Sequence, residues 1–425
     1  RGTRYLVYYV KAPSASSPSH DLIIDYIPER RYTMLRSSLG FHTLTMSYPI
    51  FIQESQQLIS DFKKYSKETG ALQMYPERGY FKIEFLSRAE GISWLIRPNV
   101  WLERAKLFVD MVDVTLNPKI LGGIHDYITA ATYDDLDAAI ANFNRISASI
   151  SPLLSSFEHY TLTRIDCCVN FALNELAPGC THEQVINLIR RADIPPHYEA
   201  WKNRNPTSIQ QDTSLGSFYL MNGSVHINCY SKYMKYEDQS RRNAERGRPP
   251  ILEETMEAAR DIIRFEVQCK PRKVYVLSRE VTKSKGDPPN KYEHLLTHDV
   301  CIDRISSYYK KIIGRGGWYT LQEAIRKIQL QHFNSQKEER LIKALKRVSD
   351  YHSVAKAKAA YQGSDLDAFK RTLGDLASLG INPVTIPREW GIKHIPNLLY
   401  AYFDKVSEER INKQWEEEFI LNYKK

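Results

Sequence analysis

Arg164-Ile165-Asp166-Cys167-Cys168-Val169-Asn170, Val225-His226-Ile227-Asn228-Cys229-Tyr230-Ser231-Lys232 and Ile263-Arg264-Phe265-Glu266-Val267-Gln268-Cys269-Lys270 share one pattern. Each alternates residue by residue, the period of a β-strand that buries one face. The apolar parity holds Ile165, Cys167 and Val169; Val225, Ile227 and Cys229; and Ile263, Phe265, Val267 and Cys269. The opposite parity is not the usual solvated mixture. It gathers Arg164, Asp166 and Asn170, then His226, Asn228, Tyr230 and Lys232, then Arg264, Glu266, Gln268 and Lys270. In one sheet, these strands bring two carboxylates, an imidazole, a phenol and several cations to one surface. That set suits metal-assisted phosphoryl transfer with a tyrosine nucleophile.

Asp166 and Glu266 are the natural ligands for a hard cation, because Mg²⁺ and Mn²⁺ prefer oxygen donors and often use one or two carboxylates beside a phosphate. Each acid follows an arginine by two positions, so Arg164 and Arg264 share its face and are expected to contact DNA phosphates. Cross-strand ion pairing on a solvent-facing sheet is the structural alternative. His226 reads as a third metal ligand or as a group that positions the scissile phosphate. Asn228, on the same parity, is expected to supply an oxygen, orient a water or contact DNA. Tyr230 is the expected nucleophile; its phenol, with an ordinary pKa of about 10, needs activation. Lys232 shares its parity and would stabilise the phenolate or the charge developing on phosphorus. Tyr233 and Tyr236 compete for the role, but Tyr233 has the wrong parity if the strand continues, and Tyr236 falls where the chain enters a loop.

Length and charge bound the rest. At 425 residues, two or three domains are expected. The net charge of +9 favours a polyanionic partner. Tyrosine outnumbers phenylalanine 27 to 15, which suits stacking in nucleic-acid grooves. The six cysteines form no CxxC pair, and Cys167, Cys229 and Cys269 fall on apolar parity, so they read as small buried hydrophobes. No apolar run approaches a membrane span and no signal-peptide pattern opens the chain, so a cytoplasmic protein with no membrane partner is expected.

The expected fold class is α+β. Residues 1–155 form an N-terminal α+β region contributing to the sheet, with strands at Tyr5–Val10, Leu22–Ile27, His42–Tyr48, Tyr80–Leu86 and Leu107–Leu116. Helices are expected at Gln53–Thr69 and Asp134–Ser149, and a Ser/Pro-rich loop at Ala12–Ser19. Residues 156–315 are the catalytic region, whose polar-faced strands are separated by Thr181–Arg191, a loop-rich stretch to about 215 and a helical segment near Leu252–Arg260. Between Lys232 and Pro250 lies a polar insertion carrying Arg241, Arg242, Arg246 and Arg248. It reads equally as a solvated loop or a phosphate-gripping arm. Residues 316–425 form a helical C-terminal domain. There Leu366, Phe369, Leu373, Leu376 and Leu379 recur at helical spacing, Gly380 supplies a stop, and the connection to Trp390 leaves room for a helix-turn-helix.

At these residues the chain resembles the replication initiators of rolling-circle plasmids and the gene II type of nicking protein of filamentous phages. The shared features are Arg164-Ile165-Asp166, then Tyr230-Ser231-Lys232 with Glu237 following, then Arg264-Phe265-Glu266. Asn117-Pro118-Lys119-Ile120-Leu121 resembles the family's Asn-Pro strand end, and Gly380-Ile381-Asn382-Pro383 with Ile386-Pro387-Arg388-Glu389-Trp390 is similar to tails of related bacterial and phage proteins. The likeness runs in order over roughly residues 107–400. It implies an antiparallel sheet of HUH-endonuclease-like type backed by helices. It also implies an Mg²⁺- or Mn²⁺-dependent nicking-closing enzyme that forms a 5′-phosphotyrosyl intermediate at a single-stranded or hairpin origin. A host helicase and a homodimer come with the same resemblance. The chain has no His-hydrophobic-His triplet, in keeping with a branch that holds its metal by carboxylates. A conjugative relaxase would use the same chemistry, and a non-catalytic origin- or operator-binding protein is the rival from another class.

Overall fold

Alternation of apolar and polar residues produces strands well beyond the three diagnostic segments. The computed structural model describes residues 37–409 apart from 78, 86–89, 104, 124–127, 201–215, 246–248 and 283–291. The strands expected at Tyr5–Val10 and Leu22–Ile27, the Ala12–Ser19 loop, Arg246 and Arg248 lie outside the described residues.

Ten strands join one antiparallel sheet: β1 (Ser38–Ile50), β2 (Leu72–Glu77), β3 (Tyr80–Phe85), β4 (Ile92–Leu102), β5 (Leu107–Leu116), β6 (Thr161–Ala172), β7 (Glu199–Ala200), β8 (Ser217–Met221), β9 (Val225–Ser231) and β10 (Ile262–Cys269). Their spatial order is β2-β3-β4-β5-β1-β6-β10-β9-β8-β7. The fold class is therefore α+β. β1 pairs with β6, so strands from before and after residue 155 share this sheet.

The apolar parity of the central strands faces helices. Phe171 of β6 and Phe265 of β10 pack edge-to-face on Tyr309 of the helix His298–Ile312, at 5.9 and 5.3 Å between ring centroids. Cys301 of that helix donates its thiol to the Gly40 carbonyl of β1 at 3.1 Å. Helix His182–Arg190 sits on β8 and β9. It opens with reciprocal capping, Gln184 N–H donating to Thr181 Oγ1 and Thr181 N–H to Gln184 Oε1. Cys167, Cys229 and Cys269 are buried in this core as their parity requires.

Two local expectations give way. The segment after β9 is not a loop but the helix Lys232–Glu245, in contact with β9 and β10. Nor do residues 365–400 make a helix-turn-helix. Helix Gly363–Ser378 does end before Gly380, whose φ of +67° a glycine adopts without strain. The following connection, however, is stitched into the fold. Ile381 bridges Gly317, Ile386 bridges Thr320, and β12 (His394–Ile395) pairs with β11 (Trp318–Tyr319). A helix-turn-helix joins its helices through a turn of about 3–4 residues. This connection is longer, and Ile381, Asn382, Val384, Thr385 and Ile386 within it are buried.

Candidate metal centre

Strand register assembles the site. β10 lies between β6 and β9, with Gln268 opposite both Asp166 and His226, Glu266 opposite Cys168 and Asn228, and Arg264 opposite Asn170 and Tyr230. The polar parities therefore meet in rows on one face. That face is not solvated: Asp166 and Arg264 are each 0% exposed and Glu266 only 5%. The expected solvent-facing ion-paired surface is a buried polar layer instead.

Asp166 and Glu266 converge with His42 of β1, so that one ligand atom from each lies within 4.8 Å of the others. His42 Nδ1 stands 3.7 Å from Glu266 Oε2. A bulge brings the imidazole there: the β1–β6 register slips between Phe41 and Leu44, leaving His42 and Thr43 unpaired where β1 passes Asp166. Gly40 makes the approach possible. A Cβ at this position would collide with the Ala131 carbonyl, which bridges Phe41 across a pair of backbone hydrogen bonds.

His226 is not part of this cluster. It faces Gln268, whose amide, oriented to satisfy its neighbours, donates to His226 Nδ1 at 2.8 Å and accepts from Arg164. The place expected for His226 beside the two acids is taken by His42, three strands away in the sheet order β1-β6-β10-β9. Sequence parity missed His42 because the bulge breaks the alternation of β1.

Burial holds the Asp166 carboxyl up, to about 7; Arg164 opposes the shift and Glu266 adds to it. Arg164 donates from Nε to Asp166 Oδ1 at 2.8 Å and from Nη2 to Oδ2 at 2.5 Å. Its guanidinium is thus committed to Asp166, not free for phosphate. Burial also lowers His42 well below the usual histidine value, helped by Arg264, Lys232 and Arg164. A neutral imidazole beside two acids is a donor set fit for Mn²⁺ or Mg²⁺.

Tyr230 lies where its parity placed it, its hydroxyl donating to Glu266 Oε2 at 3.3 Å. Asn228 Nδ2 donates to Glu266 Oε1 at 3.4 Å. Tyr230 is only 8% exposed, and burial, then Glu266, drives its phenol well above the usual value. Lys232 is not on the strand: it is the first residue of the helix Lys232–Glu245, and its Nζ donates to Tyr236 at 3.1 Å. Its expected partnership with Tyr230 gives way to one with Tyr236, buried on the same helix. Tyr233 stacks near His182 and Arg260, away from the trio.

Arg264, expected to contact DNA, is enclosed. Its Nε donates to Asn170 Oδ1 and its Nη2 to the Ile128 carbonyl, both at 2.8 Å, while Nη1 has no partner. It braces the layer from below. Arg241 and Arg242 are exposed but both pair with Asp238, at 2.5 and 2.8 Å. A further phenol, Tyr219 of β8, sits opposite Asn228 and is half-buried. With Tyr230, Ser217, Lys235, Asp238 and Arg242 it lines a hollow of about 150 Å³.

The fold and site thus define an α+β protein with a His-Asp-Glu cluster, its two acids buried and its histidine half-buried, beside two phenols. Comparison with protein-family models gives no match, and comparison with curated proteins gives none at a significant level. No described helix is long and apolar enough to cross a membrane.

Proposed function

We propose that the chain is a metal-dependent DNA strand transferase of the rolling-circle initiator type, nicking and rejoining one strand through a tyrosine. The observation that carries this reading is the convergence of His42, Asp166 and Glu266 within 4.8 Å beside the Tyr230 hydroxyl. His42, Asp166 and Glu266 would hold Mg²⁺ or Mn²⁺. When bound, the ion supplies charge neutralisation at a phosphate oxygen and aligns the phosphorus for in-line attack.

The chain's own residues supply the rest. Glu266 accepts the phenolic hydrogen bond and so orients the Tyr230 oxygen. The phenol oxygen forms a bond to phosphorus as the P–O3′ bond breaks. The phenolic proton is lost to a carboxylate or water, and the departing oxygen is protonated to a 3′ hydroxyl. The 5′ phosphate stays on tyrosine, and attack by a 3′ hydroxyl reverses the step and rejoins the strand. The 3′ hydroxyl left by nicking would prime synthesis at an origin; a conjugative relaxase differs in role, not chemistry.

A second reading concerns the nucleophile alone. Tyr219 is more exposed than Tyr230 and opens on the same hollow, so a strand reaches it with less displacement of the fold. Tyr230 would then orient Glu266.

Supercoiled DNA and single-stranded circles incubated with Mn²⁺ test the proposal. It expects open circles and linear strands that vanish with EDTA and in Asp166→Asn and Glu266→Gln. Binding that persists without any metal-dependent cleavage would identify a non-catalytic DNA-binding protein.

A further inference from the structure

A hollow of about 630 Å³ lies in the helical region between the N-terminus of helix Leu321–Gln329, the end of helix Ser335–Tyr351 and residues 384–393. The stretch Ile386-Pro387-Arg388-Glu389, singled out by sequence but unused at the metal centre, forms one wall.

We infer that this hollow binds a nucleotide, either free or as one unit of a nucleic-acid strand. Its volume falls within the range of roughly 300–1,000 Å³ typical of ligand pockets. Arg191, Arg388 and Lys393 line it, and none makes a side-chain ion pair among the described residues, whereas nearby Lys358 and Arg340 are paired with Asp193 and Asp375. Of the two acids in the lining, Glu323 is engaged by Arg326 at 3.9 Å, which leaves Glu389 against three cations. The first amides of helix Leu321–Gln329 add donors: Thr320 caps only Glu323 N–H, and the Leu321 and Gln322 amides have no intrahelical acceptor.

Cations alone would suit any anion. Apolar surface narrows the choice, because Leu321, Val348, Val384 and Ile392 share the wall. A phosphate held by cations and an apolar, planar ring against that wall is the chemistry of a nucleotide. The site is distinct from the metal centre and would stand if the nicking proposal fell.

Titration calorimetry of the full chain with 2′-deoxyadenosine 5′-monophosphate, inorganic phosphate and a short single-stranded oligonucleotide tests the inference. Saturable binding of the monophosphate, tighter than phosphate alone, is expected. Removing two charge-assisted contacts in Arg388→Gln/Lys393→Gln should weaken it by about tenfold or more. Both positions are exposed, so the fold should survive. The control Lys343→Gln/Lys346→Gln, on an exposed face outside the hollow, should change nothing. Saturable binding of the oligonucleotide alone, with the same sensitivity, supports a strand-borne nucleotide. Three outcomes overturn the inference: no saturable binding of any probe, equal weakening by the control, or equal affinity for phosphate and monophosphate.

Discussion

Asp166 carries more of the chemistry than its place in an Arg-x-Asp strand suggests. Burial raises its carboxyl to about 7, above the unfolded value of about 3.9. The folded chain therefore keeps a proton that the unfolded chain loses across that interval. Without metal, the Asp166 contribution to stability should fall as pH rises from about 4 through about 7, while His42, held below its usual value, contributes in the opposite sense up to about 6.5. Melting temperatures in EDTA should show this decline as the difference between the unaltered chain and Asp166→Asn, which removes the Asp166 part and keeps that of His42. An identical profile in the variant would mean that Asp166 is not the titrating group. Because a ligating carboxylate must be ionised, Mn²⁺ affinity should rise toward pH 7 and level off above it.

The phenols belong to the same scale. Tyr230→Phe removes the hydroxyl that reaches Glu266 but keeps the ring, so folding and DNA binding should persist. If Tyr230 is the nucleophile, the covalent adduct disappears in this variant and survives in Tyr219→Phe; if Tyr219 attacks, the pattern reverses. Asp166, Glu266 and Tyr230 were legible in the sequence because a period of two assigns each side chain to a face. His42 was not, since the unpaired residues of its bulge abolish that period. Lys232 was misplaced for a related reason: strand parity was extended one residue past the point where helix begins.

Elements decide how these residues meet. Gly40 allows β1 to run against the Ala131 carbonyl just before the bulge that presents His42. Gly40→Ala should force the strands apart and cost about 1–3 kcal/mol, read as a lowered melting temperature. Mn²⁺ affinity should fall with it, whereas unchanged affinity would separate the bulge from the metal centre. The helix Lys232–Glu245 makes a second case. Its arginines look like free cations in sequence, but Asp238, three and four residues before them, meets both. Arg241→Gln/Arg242→Gln should thus flatten the salt dependence of DNA binding by less than the full slope of roughly 0.7–0.9 per phosphate for each residue. A loss of both full increments would show that DNA displaces Asp238. A reading that relies on apolar spacing found no helix here, because the segment is almost wholly polar.

At the scale of the molecule, the sheet explains why the polar parity is buried. With ten strands, β6, β10 and β9 lie in the interior of the sheet rather than at an edge. Both faces of β10 are covered, all eight of its residues being buried. The strands of the α+β class followed from alternation, whereas the antiparallel sheet was expected only through the family resemblance. The spatial order followed from neither, because it depends on β1 inserting between β5 and β6, a long-range pairing that no local pattern encodes. Under the proposed function, the net charge of +9 would attract an anionic strand and the buried polar layer would give it a dry place to react. The measurement that bears most directly on this chemistry is mapping of a trapped adduct. Radiolabelled single-stranded circles and Mn²⁺ are mixed with the chain, denatured and digested, and the labelled peptide is sequenced. Phosphate on Tyr230, or on Tyr219 across the same hollow, is the expected result, and it should vanish with EDTA. Phosphate on Tyr233 or Tyr236, or metal-dependent cleavage with no protein attached to the DNA, would contradict it.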